Sequence, residues 1–215
     1  NLIKSTSTFS FFVLISRILG YLRDVLIAIY LGSGPIADAF FVAFRIPNTF
    51  RRLFSEGTFN SAFIPSYISE LNKGKNEAKI FADNVFNFLS FVLLLIVLII
   101  EIFMPWFILL IAPGFSEDYE KLEATIILTR ITFPFLFFVS LSSFFSAILN
   151  SHNKFAIASA APIILNILLI ITLLFANYLN DGLVDYLCYA VSISGVLQLL
   201  FLIFFTKKLY FPKFS

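Results

Sequence analysis

The sequence predicts an all-α integral membrane protein with six transmembrane helices, and three observations lead to that prediction. The 215 residues are 60% hydrophobic with a mean hydropathy of +0.95, against roughly 45–50% apolar residues in ordinary soluble domains. Only 13% of the residues are charged, which would leave a soluble fold of this size with too little polar surface. Several stretches exceed the roughly 18–20 apolar residues that cross a hydrocarbon core about 30 Å thick.

The first predicted span covers about residues 8–31. Lys4 followed by apolar residues superficially resembles a signal peptide. However, Arg17, Arg23 and Asp24 follow without a small-residue cleavage site, which indicates a retained span. The span ends at Gly32-Ser33-Gly34-Pro35, a clear turn signal.

The second and third spans differ strongly in polarity. The second, about residues 36–63, is much less hydrophobic and contains Pro47. A polar stretch, residues 70–79, separates it from the third, about residues 82–112. The third span contains the most apolar run of the chain, and a run of that length and composition is typical of a membrane-spanning helix.

Three further spans follow from the polar segments that separate them. An acidic loop precedes the fourth, a short turn separates the fourth from the fifth, and a polar loop precedes the sixth. The predicted boundaries are about residues 124–149, 155–175 and 186–205.

The lysines predict the orientation of these spans. If six spans alternate across the membrane, all lysines except Lys121 fall on one side, whereas the opposite loops are acidic. By the positive-inside rule, both ends of the chain are then cytoplasmic. The eight lysines on that side are Lys4, Lys73, Lys75, Lys79, Lys154, Lys207, Lys208 and Lys213.

The arginines, unlike the lysines, all lie inside predicted spans. An arginine near the bilayer centre costs about 2.5–3.5 kcal/mol, so these side chains must face protein, water or the headgroup region. The planar guanidinium suits carboxylate or phosphate, which it can bind with two parallel hydrogen bonds. The six are Arg17, Arg23, Arg45, Arg51, Arg52 and Arg130.

Helical spacing places these charges in stripes on the first two spans. At about 100° per residue, the first stripe consists of Val13, Arg17, Gly20, Asp24 and Ala28. On the second span the aligned charges, if Pro47 leaves the helix straight, are Asp38, Arg45, Arg52 and Glu56. Two membrane helices that each present a polar stripe predict a shared aqueous cavity.

Purely structural roles are the alternative for each of these charges. Asp24 and Asp38 could pair with Arg17 or Arg45 to fix helix packing, and Arg51, Arg52 and Glu56 could be anchors at the headgroup boundary. The first two spans hold five arginines but three acids, and this surplus of positive charge favours a cavity for an anionic ligand. Asn166 and Arg130 could line the cavity or form hydrogen bonds between helices.

Other classes of function are disfavoured. A net charge of +2 without a basic run does not suggest a nucleic-acid partner. The lone Cys188 excludes an internal disulfide and a thiolate metal cluster. The sequence contains no zinc-protease motif, glycine-rich phosphate loop or aspartate cluster that would indicate an enzyme.

Several runs of the sequence resemble the MurJ (MviN) family of bacterial lipid II flippases, and the resemblance covers essentially the whole chain. In the first half the matching runs are Ser16–Asp24, Asp38–Phe40, Ala43–Asn48, Arg51–Gly57 and Ala62–Pro65. In the second half they are Ala112–Phe115, Arg130–Pro134, Ala147–Asn150, Ala161–Pro162, Leu165–Asn166 and Gly195–Gln198.

The resemblance implies the fold of the multidrug/oligosaccharidyl-lipid/polysaccharide flippase superfamily, in which two six-helix lobes enclose a central cavity. The chain would then be a single domain, the N-terminal lobe, with the second lobe absent. The family's functional positions carry over to Arg17, Arg23, Arg51 and Asp38. The remaining candidates for substrate binding are Arg52, Arg45, Asp24, Glu56, Asn48 and Ser16.

The function that the resemblance implies is the transfer of lipid II, a peptidoglycan precursor, across the bacterial inner membrane. Its partners would be lipid II, membrane lipids and the missing lobe. No cofactor is expected, and a membrane potential or ion gradient would drive transport. Two alternatives remain: a transporter of the same superfamily with another cargo, such as a drug/cation antiporter, and a non-transporting scaffold of a cell-wall complex.

Overall fold

Helices form all the regular structure in the described part of the chain, as predicted. The computed structural model describes the backbone of residues 2–56, 58–179 and 182–213, and the side chains of residues 8–49, 59–176, 178 and 182–213. The helices are α1 (Leu2–Leu31), α2 (Pro35–Glu56), α3 (Thr58–Lys73), α4 (Lys75–Ile102), α5 (Met104–Ile111), α6 (Tyr119–Thr132), α7 (Phe135–Ser151), α8 (Phe155–Leu174), α9 (Ala176–Leu179) and α10 (Leu183–Thr206). A short 3₁₀ helix, Pro113–Glu117, lies between α5 and α6.

The turn predicted after the first span is present between α1 and α2. Gly32 there has a φ of 61°, a left-handed conformation that glycine adopts without a steric penalty. The structure departs from the sequence reading farther along, where the polar stretch of residues 70–79 is helical apart from Gly74. Lys73 pairs there with Glu70 one turn earlier, at 2.6 Å, a spacing that supports a helix.

Prolines explain two breaks inside predicted spans. The third span is divided between α4 and α5, and Pro105 lies in the first turn of α5. The fourth is divided between α6 and α7, with Pro134 at the N-cap of α7. Proline lacks the amide hydrogen that continues a helix, and these positions tolerate its absence. Pro47 and Pro162 instead lie inside the continuous helices α2 and α8.

Four helical segments among the described residues are long and apolar enough to cross a membrane. They are Lys75–Ile102, Tyr119–Ser151, Phe155–Leu174 and Leu183–Thr206. The chain is therefore an all-helical membrane protein, as predicted. The helices α1 and α2, which carry most of the arginines, are not among the four. The count of six spans stays a prediction.

Packing concentrates on α7 and α10. The helix α7 contacts α2, α3, α4, α8 and α10, and α10 also contacts α8 and α6. Twelve of the 17 residues of α7 are buried, so this helix is the centre of the bundle. Exposed large apolar side chains such as Phe88, Trp106 and Leu110 cover the outside, which fits a surface in contact with lipid.

The two polar helices pack against different partners. The helix α1 packs chiefly on α8, whereas α2 packs on α6, α7 and α3. They meet near the turn that joins them, where Ile27 lies in one apolar cluster with Ala39, Phe40 and Ala43. Farther from that turn, the space between them is a cavity.

Candidate functional site

The cavity has a volume of about 550 Å³ and lies among α1, α2, α3, α7 and α8. Its apolar lining includes Phe9, Val13 and Leu165. Among the described residues, nine polar ones also line it: Ser16, Arg17, Arg23, Asn48, Asn60, Ser146, Asn150, Ser159 and Asn166. Two of these are cationic and none is acidic, so the described part of the lining carries net positive charge.

One face of α1 supplies the cationic wall. The residues of that face follow one another at three- and four-residue spacing, as expected for one side of a helix: Phe9, Val13, Ser16, Arg17, Gly20 and Arg23. Three of the five residues of the predicted stripe are in this set. Asp24 and Ala28 are exposed and outside it, because the lining face turns toward Ser16 and Arg23.

Arg23 is held in place by its neighbour on α1 and by residues of two other helices, α8 and α2. Its Nη1 donates to Asn166 Oδ1 on α8 at 2.8 Å, and its Nε and Nη2 donate to Asp24 Oδ1 at 2.9 and 2.7 Å. The guanidinium also lies over the ring of Phe44 on α2, with 5.2 Å to the centroid, a distance at which a cation and an aromatic ring attract. Arg23 is therefore anchored, and Asp24 pairs with Arg23 rather than with Arg17.

Asn166 organises this contact. Its Nδ2 donates to the carbonyl oxygen of Ser16 at 3.0 Å while its Oδ1 accepts from Arg23. The side chain is 5% exposed. Of the two roles predicted for Asn166, lining the cavity and bonding between helices, it has both.

Arg17, unlike Arg23, is not anchored by other residues of the described part of the chain. It lines the cavity on the same helix face, and within the described part of the chain it has neither a hydrogen bond nor an ion pair. A guanidinium presents five donors in a fixed fork. Arg17 is thus a cation available to a ligand that enters the cavity.

Asp38 and Arg45 lie outside the cavity lining. Asp38 forms an ion pair with Lys121 at the start of α6, so it is neither bonded to Arg45 nor part of the cavity lining. Arg45 lines a separate pocket between α2 and the end of α5. The predicted charge stripe of the second span therefore does not converge on the cavity at these two residues. Asn48, on another face of α2, does line it.

The side chains of Arg51, Arg52 and Glu56 lie outside the described residues. Arg130 is exposed on α6 and is not in the cavity lining. Its neighbour Thr132 instead donates to the carbonyl oxygen of Ala43 at 2.9 Å, which is a hydrogen bond between helices.

Sequence reasoning missed four polar residues of the lining. These are Asn60, Ser146, Asn150 and Ser159. Asparagines within or beside apolar spans were the available signal, but the sequence does not show which of them converge from different helices. Among the described residues, no group of three or more histidine, cysteine or acidic side chains could hold a metal ion. The arrangement suits an anionic ligand with amide and hydroxyl groups.

Comparison with known proteins gives consistent results. The family model "Lipid II flippase MurJ" matches residues 27–214. The "Probable lipid II flippase MurJ" of Rickettsia prowazekii is 42% identical over 214 residues, which cover 98% of this chain and 42% of the relative. The "Lipid II flippase MurJ" of Burkholderia cenocepacia is 35% identical over 201 residues, covering 93% and 39%.

A solved structure gives the same picture. The structure of "Lipid II flippase MurJ, inward closed conformation" superposes with a TM-score of 0.83 at 31% identity, and covers 96% of this chain and 43% of the solved chain. The chain thus spans about two fifths of the length of the proteins that it matches.

Proposed function

The chain belongs to the MurJ family of lipid II flippases, and from this premise we propose that it is the N-terminal lobe of a lipid II flippase. In this proposal the cavity binds the lipid II headgroup on its way from the cytoplasmic to the periplasmic leaflet. The headgroup is a pyrophosphate-linked disaccharide-peptide, which cannot cross hydrocarbon unaided because burying its charges is too costly.

The observation that carries the proposal is the cation of Arg17, which has no partner among the described residues and lies in a polar cavity of a membrane protein. A pyrophosphate would satisfy the guanidinium with charge-assisted hydrogen bonds, worth about 1.5–3 kcal/mol each. The asparagine and serine side chains of the lining supply donors and acceptors for the sugar and peptide. A volume of about 550 Å³ is within the range of about 300–1,000 Å³ that is common for ligand sites.

The lining residues take different roles. Arg17 is proposed to contact the pyrophosphate directly. Arg23, which is already bonded to Asp24 and Asn166, would hold α1 against α8 and add positive charge to the wall. Arg51 is proposed as a further contact on the strength of the family resemblance, and Arg52 and Glu56 on the strength of the charge pattern of the second span.

The proposed orientation follows from the lysines. The cavity lining includes Asn150, beside the turn that carries Lys154, and the positive-inside rule makes that side cytoplasmic. The cavity would then receive the headgroup from the cytoplasmic leaflet of the bacterial inner membrane. Transport would need the second lobe, against which this one rocks, and a membrane potential or ion gradient to bias the cycle.

A chimaera tests this function directly. Residues 1–215 replace the matched segment of the full-length Burkholderia cenocepacia relative, and lipid II transfer is measured in cells that depend on the chimaera. We expect transfer by the parent chimaera, its loss on Arg17→Ala, and its retention on Arg130→Gln, because Arg130 is outside the cavity. An Arg17→Ala chimaera that inserts normally and still transfers lipid II would refute the binding role.

The two alternatives give other outcomes. A carrier of cations should hold surplus acid in its cavity, whereas the described lining here has two arginines and no acid. A scaffold would restore assembly of a cell-wall complex without any transfer of lipid II, and its Arg17→Ala variant would behave like the parent.

A further inference from the structure

A second pocket lies between α2 and the end of α5, away from the polar cavity. Its volume is about 340 Å³, and among the described residues it shares no lining residue with the cavity. The described residues that line it are Val42, Arg45, Ile46, Thr49, Ile111 and Ala112. In this described part of the lining, all residues except Arg45 and Thr49 are apolar.

Arg45 has no counter-ion among the described residues of this pocket. Within the described residues it forms no ion pair and no side-chain hydrogen bond. Asp38, two turns earlier on α2, is paired with Lys121, and the hydroxyl of Thr49 donates to the carbonyl oxygen of Arg45 at 2.9 Å. Arg45 is exposed, and a guanidinium that has no acidic partner among the described residues and lies beside apolar walls favours a partner that brings an anion.

The surroundings of the pocket indicate that its occupant comes from the lipid. Exposed apolar residues lie beside the pocket: Phe103 is between α4 and α5, Trp106 and Leu110 are on α5, and Ile111 of the pocket itself is 46% exposed. Such a surface contacts acyl chains, and exposed tryptophan is typical of the headgroup boundary. Ala112 directly precedes the 3₁₀ helix and the acidic loop, which places the pocket near the membrane surface.

We propose that this pocket is a binding site for an anionic phospholipid. The phosphodiester would accept hydrogen bonds from the Arg45 guanidinium, and one acyl chain would lie against Val42, Ile46 and Ile111. The pairing uses the property that distinguishes arginine from lysine, a planar fork that fits phosphate with two parallel bonds. The site is separate from the proposed cargo cavity, and it does not depend on lipid II transport.

Native mass spectrometry of the full 215-residue chain, released from detergent with added phosphatidylglycerol, tests the site. We expect the parent to retain one phosphatidylglycerol that Arg45→Gln loses, with affinity at least about tenfold weaker. Arg45→Lys should retain part of the affinity. Arg17→Gln and Arg130→Gln, which alter arginines outside this pocket, should bind it like the parent.

A second variant distinguishes the contribution of the apolar part of the pocket from that of the Arg45 charge. Ile111→Trp fills the apolar part and leaves Arg45 in place, and we expect it to lose the phosphatidylglycerol as well. Equal retention by the parent, Arg45→Gln and Ile111→Trp would overturn the proposal. It would also be overturned if Arg45→Gln lost undecaprenyl pyrophosphate and kept phosphatidylglycerol, since the pocket would then serve the cargo.

Discussion

Arg17 and Arg23 lie six residues apart on the same helix face, yet their surroundings differ completely. Arg23 is bonded to Asn166 and Asp24 and covers the ring of Phe44, whereas Arg17 faces the cavity without a partner in the described part of the chain. One guanidinium bonds α1 to α8, and the other is available to a ligand. A substitution at Arg23 should therefore act on stability, whereas a substitution at Arg17 should act on ligand binding.

Asn166→Leu should destabilise the lobe. The change removes the acceptor of Arg23 and the donor to Ser16 while roughly keeping the side-chain volume, and hydrogen bonds between membrane helices average about 0.6 kcal/mol with a maximum near 1.7. A lower midpoint of thermal unfolding in detergent checks this. Asn166→Asp, which keeps the acceptor and adds an ion pair with Arg23, should unfold at a higher temperature than Asn166→Leu; equal stability of parent and Asn166→Leu would contradict the anchor.

His152 gives the lobe a predicted dependence on pH. It lies in the turn between α7 and α8, where burial, and then the charge of Lys154, lower the pKa of the imidazole below its ordinary 6.5. Because the folded state favours the neutral ring, this stabilisation is present above about pH 6.5 and is lost as pH falls below it.

Thermal unfolding between pH 7.5 and pH 5 checks the contribution of His152. Its Nε2 lies 3.4 Å from the Tyr67 hydroxyl, a contact that the amide of His152→Gln can keep without titrating. We expect the variant to lose less stability over this range than the parent. The same loss in both proteins would show that other groups cause the pH dependence.

At the scale of elements, the sequence predicted most helices, but proline alone did not show which of them would be interrupted. Apolar runs located α4, α7, α8 and α10, because a membrane helix is identified by length and composition alone. Proline marked the breaks at Pro105 and Pro134 but not the continuous helices at Pro47 and Pro162. Proline can end a helix or only bend it, and the packing of neighbouring helices decides which occurs.

Two helical glycines make a matched test of the packing. A Cβ at Gly195 on α10 would be 2.8 Å from Phe135 Cδ2 and 3.2 Å from Phe138 Cβ on α7, whereas a Cβ at Gly20 would meet Asn166 at 3.7 Å, an ordinary contact. Gly195→Ala should therefore destabilise by about 1–3 kcal/mol, and Gly20→Ala should be near neutral.

Unfolding midpoints of the two variants in the same detergent measure the difference. A close approach of membrane helices depends on small residues at the contact, and α10 lies against α7 at this point. If Gly195→Ala and Gly20→Ala were equally stable, the packing of α10 on α7 would be looser than described.

Three of the five residues in the stripe predicted on the first span line the cavity. Spacing alone placed Val13, Arg17 and Gly20 on one face, and all three line the cavity. The spacing could not show that Asp38 would pair with a lysine 83 residues later, or that Arg45 would lie in another pocket. Such outcomes depend on which helices become neighbours, and periodicity within one helix carries no information about that.

For the whole molecule, the orientation in the membrane is the main prediction from charge. Alkaline phosphatase, which is active only outside the cytoplasm, reports the side of each fusion point. With six spans and cytoplasmic ends, a fusion after Ser116 should be active, and fusions after Asn153 and Lys213 should be inactive. Activity at Asn153 together with silence at Ser116 would invert the orientation. Activity at Lys213 together with silence at Asn153 would exclude the two spans predicted between those fusion points.

Arg17 has no partner among the described residues, and binding of lipid II to the full 215-residue chain is the most direct test that it holds a ligand. Native mass spectrometry would compare the parent, Arg17→Gln and the control Arg130→Gln, with a cationic amphiphile as the competing ligand. The account predicts that the parent and Arg130→Gln bind lipid II in preference to the cation, and that Arg17→Gln binds it about tenfold more weakly or worse. Equal binding of lipid II by all three proteins, or a preference for the cation, would contradict it.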